Sequence, residues 1–288
     1  MNRLPVYELI RDSNIYRNTS PGSSVILPLV GDKCTIVIYD VQVSENYNCK
    51  FSVWFSEKAV VVGTPEEDTS SVVLELGSAD CIIDRGLEML VSKMRVGDIQ
   101  EFCLGDGQGG TITGCVRLLA VQKCVALRSW HTDDQMKLIE AARQKEAGNI
   151  LFRQKRYMDA FHRFNLSIRS VLFLRDEKAE GVREKRDILY STVCNNMAAC
   201  QLKLHNYEHA RVLATKVLTV DPSNLKAFLR RSQAFVELKM FDNAFVDARY
   251  VLDHCPANTL AKRYLDKAAR GIEDQKANYK VMVKRMFH

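Results

Sequence analysis

The sequence has no C-x-x-C pair, no apolar run long enough to span a bilayer and no metal-spaced cluster among its histidines. Each absence removes a class of function. The cysteines number nine, at 34, 49, 81, 103, 115, 124, 194, 200 and 255. Their spacing suits neither a zinc site nor a thioredoxin-like centre. Several fall inside apolar runs, where a thiol behaves as a small hydrophobe, so a reducing compartment is expected. The opening segment MNRLPVYELIRDSN lacks an apolar signal core, so no secretory signal, no membrane attachment and a cytoplasmic location are expected. No Ser/His/Asp or Cys/His set can be assembled, and no cofactor or metal is expected. The net charge of +6 is weak. Its cations are too scattered for nucleic acid, although an acidic partner would fit.

What is present is 47% hydrophobic residues against 26% charged, enough to build packed cores. From Ser24 to about Cys124 the chain reads as strands: 34–43, 50–56, 59–63, 71–77, 98–104 and 111–124, rich in Val, Ile and aromatics between turn residues. One helical stretch, 82–94, interrupts them, with Leu87, Leu90 and Met94 at helical spacing. This predicts an α+β domain, an antiparallel sheet with one helix. After 125–133 the period becomes helical to the end, with Thr132 or Asp133 placed to cap the first helix. The expected division is 1–127 and 128–288.

The second part repeats itself. Tyr207 and Phe241, Ala210 and Ala244, and Pro222 and Pro256 are each 34 positions apart, and NYEHARVLATKVLTVDPSN aligns without gaps on MFDNAFVDARYVLDHCPAN. That period, with Ala in the second helix and Pro after it, is the signature of tetratricopeptide repeats. A third copy lies upstream, with Gly148, Tyr157, Ala160 and Phe164 in the matching slots. The charged stretch 174–187 between copies reads as an extended helix end plus a loop. The tail from Leu260 reads as a capping helix, with Met282 and Met286 packing it. Such stacks form an all-α superhelix with a concave groove.

The first helix of each repeat lines that groove. Superposing the repeats puts Lys145 and Asn149, Asn196, and Lys226 and Arg230 on these helices, with Asn196 and Arg230 equivalent at a spacing of 34. Each i, i+4 pair shares a face. Lys226 and Arg230 repel one another in an isolated helix, and no acid lies between Ser223 and Leu229 to relieve them. Two Lys, one Arg and two Asn suit a ligand with two nearby carboxylates, such as a peptide ending in Asp with a free C-terminus.

These five residues resemble the dicarboxylate clamp of tetratricopeptide co-chaperones. The resemblance implies binding of the EEVD tail of the heat-shock chaperones, heat shock protein 90 or heat shock protein 70. SWHTDDQMKLIEAARQKEAGNILFRQKRYMDA, CNNMAACQLKLHNY and NYKVMVKRMF resemble the large immunophilins of the FK506-binding-protein type. In the first half, Leu76-Gly77 before the helix and Met94-Arg-Val-Gly97 after it are similar to the same family's prolyl isomerase fold. The pocket of that fold is not matched. Leu87 stands where Trp is usual, no Phe-Asp-Ser-Ser stretch follows the second strand, and GDGQGG (105–110) is too short for the aromatic loop. The resemblance thus implies a co-chaperone with an inactive head. Alternatives are a weak peptidyl-prolyl isomerase, with Trp54 a residual pocket aromatic, or a scaffold that binds an internal peptide segment.

Overall fold

A computed structural model of the chain describes residues 27–45, 52, 55, 71–105, 109–124, 134–172, 174 and 181–286. Two compact units divide at His131 and Thr132. The expected strands 59–63 and most of 50–56, Trp54, and the capping candidates Thr132 and Asp133 lie outside the described residues.

The first unit is α+β. Strands β1 (Lys33–Val43), β2 (Val72–Glu75), β3 (Ile99–Gly105) and β4 (Thr111–Gln122) form one sheet of order β2-β1-β4-β3. Every pairing is antiparallel, with Ile38 opposite Val116 and Phe102 opposite Gly114. Alternate residues of β4 (Ile112, Val116 and Leu118 among them) turn inward, the period-two pattern of a half-covered sheet. Helix α1 (Ile82–Val91) ends three residues before the sequence pattern does. It buries Ile83, Leu87 and Val91 in one cluster with Ile36, Leu74 and Leu118. Glu88 fixes the entry to α1: its carboxylate accepts from the Gly77 amide at 3.0 Å and the Ala79 amide at 2.8 Å. Gly77 supplies the positive φ of 91° that this turn needs.

The second unit is all-α: α2 (Asp134–Arg153), α3 (Tyr157–Leu172), α4 (Val182–Lys203), α5 (Tyr207–Val220), α6 (Leu225–Glu237), α7 (Phe241–His254) and α8 (Thr259–Met286). Helices α5 and α7 start and stop in register with the 34-residue period. Helices α2/α3, α4/α5 and α6/α7 are the three repeats, and α8 caps the third. Ala160, Ala210 and Ala244 are fully buried, which allows the paired helices to approach closely. The charged stretch 174–187 divides differently from expectation. Its residues 182–187 open α4, and α3 ends before it, at Leu172.

Each pair is joined by the same turn. Lys155, His205 and Lys239 each stand two residues before the second helix, with φ of 63°, 60° and 60°. The next residue's amide closes back on a carbonyl five positions earlier: Arg156 on Leu151 at 3.0 Å, Asn206 on Gln201 at 2.9 Å, Met240 on Phe235 at 2.9 Å. This is a Schellman-type termination made without glycine.

Two further features position the groove. Gly148 in α2 lies against the fully buried Phe164 ring of α3, and a Cβ there would come within 2.6 Å of it. Asn224 caps α6 through Ala227 N at 3.0 Å, and its Oδ1 also accepts from Asn195 Nδ2 of α4 at 3.0 Å. The cap therefore sets α6 against α4. Met282 and Met286 do not pack the last helix as expected. They are exposed, and the buried face of α8 ends at Gly271 because the second helix of the last repeat reaches no farther.

Candidate functional site: a donor-lined groove in the repeat unit

Helices α2, α4 and α6 each turn one face to a common cavity of about 390 Å³, lined by Glu146, Asn149, Phe152, Arg153, Phe164, Asn196, Ala199 and Arg230. Three of the five residues singled out from the sequence meet here: Asn149, Asn196 and Arg230. The other two do not line the cavity. Lys145 and Lys226 sit one turn earlier on α2 and α6, Lys145 half-buried and Lys226 exposed. Neither makes a hydrogen bond or ion pair among the described residues.

The two amides are coupled, Asn196 Nδ2 donating to Asn149 Oδ1 at 3.0 Å. Asn149 Nδ2 in turn donates to Glu146 Oε2 at 3.0 Å, and Glu146 Oε1 accepts from Arg153 Nη2 at 2.9 Å. Arg230 is the outlier. Its Nη1 is buried and has no hydrogen-bond partner among the described residues. Burial draws its pKa below the ordinary arginine value, with the nearby Cys200 acting in the opposite direction. A guanidinium in protein nevertheless stays charged. A buried cation with an idle donor is expensive unless an anion completes it. Its neighbour Arg231 shows the contrast: it forms a two-pronged pair with the buried Asp247, at 2.7 and 2.8 Å, tying α6 to α7.

Arg230 is thus held on a braced helix, pinned at its start by Asn224 and along its flank by Arg231. Chemically the cavity can accept a carboxylate: it is lined by the Arg230 guanidinium, an Arg153 already paired with Glu146, two amides and the rings of Phe152 and Phe164. Sequence reasoning passed over Glu146 and Arg153. Their signal was present, because 146, 149 and 153 recur along one face of a helix.

Leu87 is fully buried in the core of the first unit. Among the described residues there is no group of three His, Cys, Asp or Glu side chains able to hold a metal, and no helix long and apolar enough to cross a membrane.

Comparison with known proteins bears on the family. Residues 110–286 match the family model described as ChAPs (Chs5p-Arf1p-binding proteins), a stretch from the start of β4 through the repeats. The chain is 30% identical over 162 residues to the bovine (Bos taurus) peptidyl-prolyl cis-trans isomerase FKBP4, covering 56% of this chain and 35% of that one. The human (Homo sapiens) protein is 29% identical over the same length, with the same coverage. The match therefore spans about a third of the length of these relatives. Among solved structures, the C-terminal repeat domain of a Plasmodium falciparum putative FK506-binding protein superposes with a TM-score of 0.50 at 19% identity. It covers 52% of this chain and 99% of that one, and bears out the repeat fold. On these matches the chain belongs to the ChAPs (Chs5p-Arf1p-binding proteins) family, and over part of its length it is similar to FK506-binding proteins that carry tetratricopeptide repeats.

Proposed function

We propose that this protein is a chaperone-binding adaptor whose repeat groove takes an acidic, free C-terminal peptide. The tail in question is the EEVD type carried by heat shock protein 90 or heat shock protein 70. The observation that carries this reading is the buried, unpartnered Nη1 of Arg230 on the same cavity as the coupled amides of Asn149 and Asn196. One carboxylate of the ligand would complete Arg230. Lys145 and Lys226, half-buried and exposed one turn away on the same helices, would attract the second through their charge. The head, residues 1–127, acts as a spacing or interaction module and not as an isomerase. Support for that is the buried aliphatic Leu87 where the resemblance calls for Trp. The stretch shared with the isomerase relatives is the repeat part, so their activity is not carried over to this head.

The test is calorimetric titration of a free-acid MEEVD peptide and its C-terminal amide into the intact protein and into Lys226→Ala/Arg230→Ala. Micromolar binding of the free acid, about −7 to −8 kcal/mol, is expected. The variant should lose about 2 kcal/mol or more, as when a charge-assisted partner is removed. Equal affinity for acid and amide would favour a scaffold that binds internal segments. A proline-peptide turnover assay tests the head, and turnover matching an intact isomerase of the family would overturn the inactive reading.

A further inference from the structure

A groove read as a carboxylate site has a carboxylate of its own. Glu146 lines the same cavity as Asn149, Asn196 and Arg230. Its two oxygens are divided between neighbours on α2: Oε2 accepts from Asn149 Nδ2 at 3.0 Å and Oε1 from Arg153 Nη2 at 2.9 Å. One of the two N–H donors of an amide that a ligand needs is therefore already engaged. Arg153 is anchored along its own helix by a second bond, Nε to the Asn149 carbonyl at 3.3 Å. The fold does not need this arrangement. The Glu146 and Arg153 side chains are 56% and 69% exposed, and an ion pair that open contributes little to stability.

We infer that Glu146 is an internal competitor for the groove and that Arg153 is its neutraliser. This rests on the carboxylate reading proposed above. In the empty groove Glu146 holds the Asn149 amide. When an acidic peptide arrives, its carboxylate takes that amide, and Glu146 remains with Arg153. The pair then sets the strength and charge selectivity of the site. Only a ligand anionic enough to displace Glu146 gains the full set of donors, while a neutral terminus competes poorly with Glu146 for the Asn149 N–H. Glu146 is a specificity-determining residue in this scheme and Arg153 acts through it.

The experiment titrates free-acid MEEVD peptide into the full-length protein and three variants, Glu146→Gln, Arg153→Ala and the double substitution. Glu146→Gln keeps the shape and removes the charge. It is expected to tighten binding about three- to tenfold, the scale of one like charge removed from a half-solvated site. Arg153→Ala is expected to weaken binding several-fold, and that loss is expected to vanish in the Glu146→Gln background. Unchanged or weaker binding by Glu146→Gln overturns the inference. So does an Arg153→Ala loss that persists in the double variant, since Arg153 would then touch the peptide itself. Lys226→Ala/Arg230→Ala, run alongside, separates the two levels. If that variant binds like the wild type, the carboxylate reading fails, and the inference falls with it. Matching circular dichroism melts exclude a folding artefact, as both side chains are exposed.

Discussion

Replacing Arg230 by Met should stabilise the free protein and at the same time destroy its hold on an acidic peptide. The buried Nη1 has no partner among the described residues. A buried donor left unsatisfied costs about 1–3 kcal/mol, and more for a charged group. Met keeps most of the aliphatic stem and fills the same channel, so the packing loss is small. The net gain should be about 1–2 kcal/mol, a rise of about 2–4 °C in Tm for each kcal/mol in a unit of this size. Thermal melts followed by helical circular dichroism would read it. Peptide present at 100 times its Kd should then add about 2.7 kcal/mol to the wild type. It should add almost nothing to Arg230→Met, so the order of stability inverts. The reasoning is refuted if the free variant is less stable than the wild type, which would mean that the guanidinium already contributes to the fold. Equal stabilisation of both proteins by peptide would refute it as well.

Gly148→Ala should destabilise the repeat unit by about 1–3 kcal/mol, because its Cβ would meet the Phe164 ring at 2.6 Å. Urea unfolding would measure this, and peptide affinity should fall too, since Phe164 lines the cavity. Asn224→Ala should cost about 1–2 kcal/mol by removing the cap of α6 and the acceptor of Asn195 Nδ2. A loss of stability without any loss of peptide affinity would show that the cap does not position Arg230. Burial pushes the Cys194 and Cys200 thiols up to about 11 and about 12 from an ordinary value near 9. The folded state therefore keeps protons that the unfolded chain releases, and stability should fall as pH rises from about 9 toward 12. Denaturant titrations at pH 7 and pH 10 should show the drop, and it should be smaller in Cys194→Ala/Cys200→Ala.

The repeat architecture was legible because a 34-residue period constrains every helix at once. Matching slots, Tyr207 with Phe241 and Ala210 with Ala244, placed α5 and α7 at equivalent positions, and both helices begin at the first matched pair. The sheet was legible from alternation, as β4 shows by burying Ile112, Val116 and Leu118. The groove was legible in part. Superposing repeats brought Asn149, Asn196 and Arg230 together, but it could not say that the Nη1 of Arg230 is buried while Lys226, one turn earlier, stays in water. Arg230 faces Cys200 of α4 and the cavity, whereas Lys226 faces solvent. Glu146 and Arg153 were passed over because an acid in an anion site runs against the pattern sought. Met282 and Met286 looked like packing residues because an amphipathic spacing does not reveal whether a neighbouring helix is long enough to use it.

The turn shared by the three repeats has a consequence for how stability is distributed. An L-residue in the left-handed conformation costs about 1–2 kcal/mol relative to its preferred geometry. Here the toll recurs at Lys155, His205 and Lys239. Each of these residues ends a helix, and none of the three lines the cavity. The chain therefore holds a dispersed reserve of thermostability, released one increment per module when a glycine is installed. Modules of a solenoid touch only their neighbours, so those increments should sum nearly linearly. Robustness could be dialled up in this scaffold while ligand preference stays where it was.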